Sequence, residues 1–253
     1  MNSTWHNNRV GISPNSGSYE LCYPERETTV VGNLVYDNNN AENASIDAAR
    51  LVQRNGIVVA GGHRNLIERN RVDNHIRTGI AVVPFPEETP NDDVSTEDEW
   101  DLTCDESRNL PLEIPEGLVL WQPYENVVRD NVVTNSGDAD IALDSIDIDI
   151  STLRNCFSGN EVSSAAPTAL QELAPCDGEP VDGDWTEGSL GAIAWLGEVD
   201  SLAPDMPWQD MPLPELGEHE NMPDAATAPA HPATDVPFPV DLDAITVPEL
   251  PAG

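Results

Sequence analysis

Asn65-Leu-Ile-Glu-Arg-Asn-Arg-Val72 and Asn126-Val-Val-Arg-Asp-Asn-Val-Val133 follow one pattern, in which a polar residue precedes a large apolar residue, an asparagine and a valine at fixed spacing. The same pattern recurs at 3–10, 28–35 and 155–162. Every copy keeps one asparagine and one valine, which are Asn8, Asn33, Asn70, Asn131 and Asn160, with Val10, Val35, Val72, Val133 and Val162.

A second element accompanies this unit, a glycine followed by alternating aliphatic residues, as in Gly56-Ile-Val-Val59 and Gly79-Ile-Ala-Val82. Such short segments, with apolar positions two residues apart, are typical of strands that are not stable alone, and they lack helical spacing. They bury their inward side chains only if successive copies stack. The spacing therefore predicts an all-β solenoid of short parallel strands, in which the asparagines occupy turns and form a ladder between coils.

The repeats resemble those of the right-handed parallel β-helix proteins of the pectate-lyase-like superfamily, over roughly 2–164. The resemblance implies a right-handed parallel β-helix. It does not imply one activity, because the superfamily includes lyases, hydrolases, epimerases and non-catalytic binding proteins. Asn155-Cys-Phe157, Cys176 and the proline-rich ending also resemble a group of actinobacterial proteins of this kind.

The composition divides the chain into two parts. We expect β-helix coils with inserted loops over 1–176, and over 177–253 an acidic, proline- and alanine-rich tail that is partly disordered and caps the solenoid. Within the tail, 190–196 is predicted to pack, and 240–247 to add a strand at an open end of the solenoid. Met1 falls just before a repeat already in progress, so we expect N-terminal truncation, with any export signal outside this chain.

The charge balance restricts the possible partners. The chain has 46 acidic and 11 basic residues, a formal net charge of −35, and every basic residue is an arginine. This balance argues against binding to nucleic acid or to anionic lipid, because both need clustered cations. No apolar run reaches the length of a membrane-spanning helix, so we expect no membrane span, and we expect a monomer.

The four cysteines have no spacing that suggests a zinc site. Cys156 and Cys176 lie close in sequence, and a disulfide between them would fix the end of the repeats. The pairing left over is Cys22 with Cys104. The alternative is that all four are buried free thiols.

Insertions that follow Gly11, Gly79 and Asp140 are predicted to leave the same corner of the coils. One of them, 84–116, is compatible with either a decorated loop or a degenerate coil. Aromatic rings beside carboxylates suit sugars, so this corner is the predicted carbohydrate site. The alternative is that the aromatic rings cover the core. The candidate residues are Tyr23, Glu25, Arg26, Trp100, Asp101, Trp121 and Tyr124.

Asp138, Asp140 and Asp144 belong to a run of aspartates that alternates with aliphatic residues. Carboxylates two apart on a strand point to one side, so these three are candidate ligands of Ca²⁺, the one cofactor that the sequence suggests. The alternative is a solvated strand face, because the glycine-containing calcium loop is absent.

The main basic concentration lies between two repeats. Enzymes that process uronates need a cation and a base, which arginine or histidine can supply. The alternative is surface pairing with neighbouring carboxylates. The residues are His63, Arg64, Arg69, Arg71, His75 and Arg77.

Familiar motifs of polysaccharide lyases and galacturonases are absent, so no catalytic site is identified in this chain. We expect a secreted or cell-surface β-helix protein that binds or processes polysaccharide. The alternatives are a fragment of a polysaccharide lyase, hydrolase or epimerase whose catalytic coils are missing, and a purely structural solenoid.

Overall fold

The computed structural model describes residues 1–44, 50–198 and 240–251 of the chain. Most regular structure in these ranges is short strand. The strands are β1 Thr4–His6, β2 Thr29–Val31, β3 Leu34–Tyr36, β4 Ile57–Ala60, β5 Leu66–Glu68, β6 Arg71–Asp73, β7 Thr78–Val83, β8 Phe85–Glu87, β9 Val119–Trp121, β10 Val127–Arg129, β11 Val132–Thr134, β12 Ala139–Leu143, β13 Cys156–Ser158 and β14 Ala165–Ala166. The helices are α1 Cys104–Ser107, α2 Leu170–Leu173 and α3 Ala192–Gly197, with 3₁₀ turns at Glu97–Glu99, Ile150–Leu153 and Leu242–Ala244.

Three parallel four-stranded sheets contain all the strands except β8 and β9. Their strand orders are β1-β3-β6-β11, β2-β5-β10-β13 and β4-β7-β12-β14. Every neighbouring pair within them is parallel. Each strand pairs with the corresponding strand of the next repeat, as expected for segments too short to bury their apolar side chains alone. The prediction of an all-β chain built on parallel strands is confirmed.

The repeated spacing places like side chains on top of one another. Val35 pairs with Val72, and Val72 with Val133, and all three are fully buried. Val162 packs against the same core, although no strand forms around it. Phe157 is likewise buried, in a second column of stacked side chains formed by β13 and β10. Burying such apolar surface contributes on the order of 2 kcal/mol per side chain, which is why the spacing is kept.

The predicted phase of the first copy is wrong. The repeat pattern matches Trp5 with Val30, but in the structure Trp5 pairs with Val35, and the backbone N–H of Asn8 donates to Oδ1 of Asn38 (3.1 Å). Val10 therefore lies outside the valine column and packs against a second apolar cluster. The physical reason is that each copy carries polar turns five residues apart, as at Asn33 and Asn38, so the pattern matches equally well one turn out of phase.

An asparagine ladder runs through the turns between the first two sheets. The backbone N–H of Asn33 donates to Oδ1 of Asn70, that of Asn70 to Asn131, and that of Asn131 to Asn160, over 2.9, 2.9 and 3.1 Å. The ladder ends at Asn160, whose backbone N–H donates to Oε1 of Gln171 in α2 (2.9 Å). Each amide thus satisfies a buried backbone donor that no strand pairing reaches. A second ladder joins Thr28, Asn65, Asn126 and Asn155.

Steric crowding explains why glycine recurs before the aliphatic strands. A Cβ on Gly56 would lie 2.5 Å from the carbonyl oxygen of Gly79 and 2.4 Å from Cγ1 of Val72. The backbones of successive copies therefore approach too closely at this turn for a side chain.

The insertion 84–116 is a loop and not a coil. Its first strand, β8, pairs antiparallel with β9, so the chain leaves and returns along one ribbon. Cys22 is bonded to Cys104 in this loop, and Cys156 to Cys176, so both predicted disulfides are confirmed.

The described parts of the tail pack on the sheets. Trp195 in α3 is buried, as predicted for 190–196. The prediction that 240–247 adds a strand is wrong, because the segment forms a 3₁₀ turn at Leu242–Ala244 and no strand. It is held by side chains instead, since Arg69 and Arg71 donate to the carbonyls of Leu242 and Pro248 and Ile245 packs on Gly32. The rest of the predicted disordered tail, 199–239, lies outside the described residues. Within the described ranges, we find no helix with the length and apolar character needed to cross a membrane.

Candidate functional site

The three insertions meet at one corner of the stacked repeats. The Cys22–Cys104 disulfide joins the first insertion to the second, and Arg26 donates to the carbonyl of Leu102 there (2.6 Å). The third insertion is held by Gln122, whose Nε2 donates to the carbonyl of Ile146 (2.6 Å). Stacking in register brings the insertions together, as we expected from their spacing.

The buried carboxylate of Glu87 links the segments that meet at the base of this corner. Glu87 accepts hydrogen bonds from the backbone N–H and the hydroxyl of Ser18 (2.9 and 2.8 Å) and from Nε1 of Trp121 (2.8 Å). Three donors compensate for the desolvation of the carboxylate. Trp121 is 2% exposed, so it is a wall of the core and not a free platform for a sugar.

An aromatic cluster lies at the same corner. The ring of His63 contacts the rings of Trp100 and Tyr124, with centroids 4.4 and 5.3 Å apart, and Trp100 lies 4.8 Å from Tyr124. Trp100 is buried, and its Nε1 donates to the carbonyl of Ser95 (3.2 Å). Tyr124 is half-buried and offers the accessible aromatic surface of the cluster.

His63 is neutral, and one of its ring nitrogens has no partner. Its Nε2 lies 3.1 Å from the carbonyl oxygen of Gln122. Because a carbonyl only accepts, Nε2 carries the proton and Nδ1 is a bare acceptor. Burial lowers the pKa of His63 to about 4, which keeps the ring uncharged. Nδ1 is buried and has no hydrogen-bond partner among the described residues.

Gln122 supplies a second bare acceptor. Its Nε2 donates to a carbonyl, which fixes the orientation of the amide, and its Oε1 is buried without a partner in the described part of the chain. Buried polar atoms of native proteins normally have a partner, so these two acceptors are exceptions, and both are closed to solvent.

These side chains line a cavity of about 270 Å³. Its rim carries Arg154, which pairs with Glu97 (2.9 Å) and Glu125 (2.8 Å), and whose guanidinium lies 5.9 Å from the ring centre of Tyr124. The remaining lining residues are Pro24, Val94, Ser95, Leu120 and Trp121. The volume suits one sugar ring, since pockets for larger ligands are about 300–1,000 Å³.

The other predicted ligand residues hold the loops. Glu25 accepts from Thr28 and Asn65, and burial raises its pKa. The hydroxyl of Tyr23 donates to Asp92, and its pKa is raised mainly by burial. Asp101 is exposed beside the cavity.

A second ion-pair group surrounds Asp101. Arg64 pairs with Asp101 (2.5 Å) and with Glu125 (2.9 Å). The hydrogen bonds with these carboxylates raise the pKa of Arg64, so its charge is fixed and already neutralised.

The structure gives no support to the calcium hypothesis, because the three aspartates have separate protein partners. Asp138 accepts from Nε1 of Trp195 (3.0 Å), and Asp140 accepts from the backbone of 163 and 164 (2.8 and 3.2 Å). Asp144 accepts from the backbone N–H of Ala192 (2.9 Å), and its pKa is raised by burial. Across residues 1–44, 50–198 and 240–251, no group of three His, Cys, Asp or Glu side chains is arranged to hold a metal ion.

The basic residues do not form one site either. Arg77 is buried, lies 3.8 Å from the ring centre of Trp195 and donates to the carbonyl of Leu51 (2.9 Å). Burial lowers its pKa to about 10. Arg69 pairs with Glu68 (2.9 Å), but Glu68 is buried, so this is not the surface ion pair that we expected.

Sequence reasoning did not assign Gln122 or Arg154 to the site, and it considered His63 only as a base for uronate chemistry. One signal was available. His63 and Tyr124 each stand two residues before the first asparagine of a repeat copy, and they pair in the structure. Equivalent repeat positions that carry an aromatic or imidazole ring would have pointed to the cluster.

Two buried histidines in the described ranges predict acid sensitivity. Burial lowers the pKa of both His63 and His75 from 6.5 to about 4, so between these values the unfolded chain binds more protons than the folded one. Stability is therefore lost as the pH falls from 6.5 towards 4, and at pH 5 each histidine should cost roughly 2 kcal/mol relative to pH 7. Denaturant unfolding at both pH values, above the range of most carboxylates, measures this loss.

The variants His63→Gln and His75→Gln should each reduce the difference between pH 5 and pH 7. His6→Gln is the matched control, because His6 is exposed on β1. Unchanged pH dependence in both buried variants would contradict the assignment of the loss to these rings.

No protein-family model matches the chain, and searches of curated proteins and of solved structures gave no significant match.

Proposed function

We propose that this chain is a right-handed parallel β-helix module that acts outside the cytoplasm and binds carbohydrate through one sugar ring in the cavity beside Tyr124. The three parallel sheets support the β-helix, since each of the three middle repeat copies supplies one strand to every sheet. The two disulfides support export, because such bonds persist in oxidising compartments.

The cavity itself carries the proposal. It combines a half-buried tyrosine ring, buried aromatic walls and a charged rim in a volume that suits one pyranose. The apolar face of a sugar packs on an aromatic ring, and its hydroxyl groups form hydrogen bonds with polar groups at the edge.

A glycan array followed by calorimetric titration tests this proposal. Tyr124→Ala should weaken binding of a captured glycan at least about tenfold, or about 1.4 kcal/mol, because the stacking surface is lost. Tyr36→Ala is the matched control, since Tyr36 is also half-buried but lies on β3, stacked on His6.

Three results are decisive. Equal losses in the two tyrosine variants would place binding elsewhere. Failure of every glycan to bind would overturn the proposal and favour a purely structural module. Release of unsaturated or reducing ends from a bound polysaccharide would replace binding by catalysis.

A further inference from the structure

An exposed apolar segment, 110–118, lies at the end of the insertion that follows β7. Leu110, Leu112, Ile114 and Leu118 are 39, 69, 66 and 53% exposed, and none of them lines the cavity. Residues 111–118 form neither helix nor strand. Single exposed aliphatic side chains are ordinary on a protein surface, but four within one short segment are typical of an interaction site.

The segment is held in place by the rest of the protein. The disulfide of Cys104 fixes the chain before it, and β9 follows it directly. In its middle, the backbone N–H of Glu113 donates to Oδ1 of Asp92 (2.6 Å). Pro111 and Pro115 restrict its backbone further. A partner therefore binds a segment that has already lost much of its conformational entropy, which favours association.

The two edges of this segment differ in their backbone donors. In a strand, the N–H groups of alternate residues point to the same edge. One edge would carry positions 111, 113 and 115, which are two prolines without an N–H and Glu113, whose N–H is already used. The other edge would carry the N–H groups of Leu112, Ile114 and Glu116, which have no hydrogen-bond partner within the described ranges. Only this second edge, 112–116, is free to pair with another strand.

The charge of the insertion restricts the partner. Residues 84–118 hold twelve Asp and Glu and one arginine, Arg108, which pairs with Asp105. Glu113 and Glu116 are exposed, and neither has an ion-pair partner in the described part of the chain. A second copy of the chain would bring like charges together, which is unfavourable. The partner that fits is therefore cationic.

We infer that the 110–118 segment adds a strand, through its free edge, to an exposed sheet edge of a cationic partner protein. In the strand conformation Leu110, Leu112 and Ile114 stand on one face and pack on apolar side chains of the partner. Lysine or arginine side chains beside that sheet edge pair with the free carboxylates of Glu113 and Glu116. This interaction is separate from the proposed carbohydrate binding, because the segment contributes no residue to the cavity.

Strand-forming peptides test this inference on the intact chain. Labelled peptides in which lysine alternates with valine, isoleucine or phenylalanine are titrated by fluorescence polarisation at about 0.15 M salt. We expect at least one of them to bind. The same peptide with glutamate in place of lysine, or with a proline at its centre, should bind at least about tenfold more weakly.

Variants of the segment separate strand addition from general attraction by charge. Leu112→Ser with Ile114→Ser should fold, because both side chains are exposed, and should weaken binding of the lysine peptide at least about tenfold. Ile114→Pro removes one donor of the free edge but keeps an apolar side chain, and it should also weaken binding. Val181→Ser with Ile193→Ser is the matched control, since these side chains are 54 and 72% exposed elsewhere and should leave the affinity unchanged.

Three results would overturn the inference. The first is failure of every lysine peptide to bind. The second is an unchanged affinity in the Leu112→Ser, Ile114→Ser variant, which would show that net charge alone attracts the peptide. The third is a dimer of the chain, measured by sedimentation, that this variant abolishes, which would assign the segment to a second copy. Glycan binding should be equal in all these variants, so failure of either proposal leaves the other intact.

Discussion

Replacing Asn131 by alanine is expected to lower the free energy of unfolding by roughly 4 kcal/mol, because several buried groups lose their partner at once. Oδ1 of Asn131 accepts from the backbone and side chain of Asn70 (2.9 and 3.0 Å). Its Nδ2 donates to the carbonyls of Ile67 and Arg129 and to Oδ1 of Asn160. Guanidinium unfolding followed by both circular dichroism and tryptophan fluorescence measures the loss.

Asn8→Ala is the matched control. Asn8 contributes a backbone and a side-chain donor to Asn38, but it is only half-buried, so its loss should cost about 1 kcal/mol or less. Similar costs at Asn8 and Asn131 would show that water readily replaces the buried rungs and that the ladder is not a main source of stability.

Removing the Cys22–Cys104 disulfide, by the double variant Cys22→Ser and Cys104→Ser, should lower stability by about 4 kcal/mol. The bond closes a loop of 82 residues, and the denatured chain gains the conformational entropy that the bond removes. The same bond holds the insertion that carries Trp100 and Glu97 over the cavity. We therefore also expect faster amide hydrogen exchange over 88–118 and weaker sugar binding.

Cys156→Ser with Cys176→Ser is the control, because that bond closes a loop of only 20 residues. It should cost about 3 kcal/mol by the same chain-entropy argument and leave exchange over 88–118 unchanged. If the two double variants loosened the loop equally, the first disulfide would not be what fixes the cavity.

The sequence predicted the interior better than the surface. Val72 and Val133 stack because their spacing repeats and because such short strands bury their apolar side chains only against the neighbouring copy. The corner formed by the insertions followed from the same spacing. The phase of the first copy did not, because polar residues five apart let the pattern match in two registers.

The insertions meet at the predicted corner, but several candidate side chains there are already occupied by partners within the protein. Trp100 and Trp121 looked like sugar platforms, but both are buried, and Tyr124 remains as the accessible ring of the cluster. Asp140 looked like a metal ligand, but backbone donors of a later segment use its carboxylate. In both cases the deciding partners are distant in sequence, and no local pattern contains them.

By itself the sequence determined the parallel all-β architecture, the buried columns and the asparagine turns. Each of these depends on spacing that repeats along the chain. Only the tertiary structure decided which polar atoms remain without a partner, as at Nδ1 of His63 and Oε1 of Gln122. The reason is physical: satisfaction of a hydrogen bond depends on the three-dimensional surroundings of one atom, whereas burial of a repeated apolar side chain depends on periodicity.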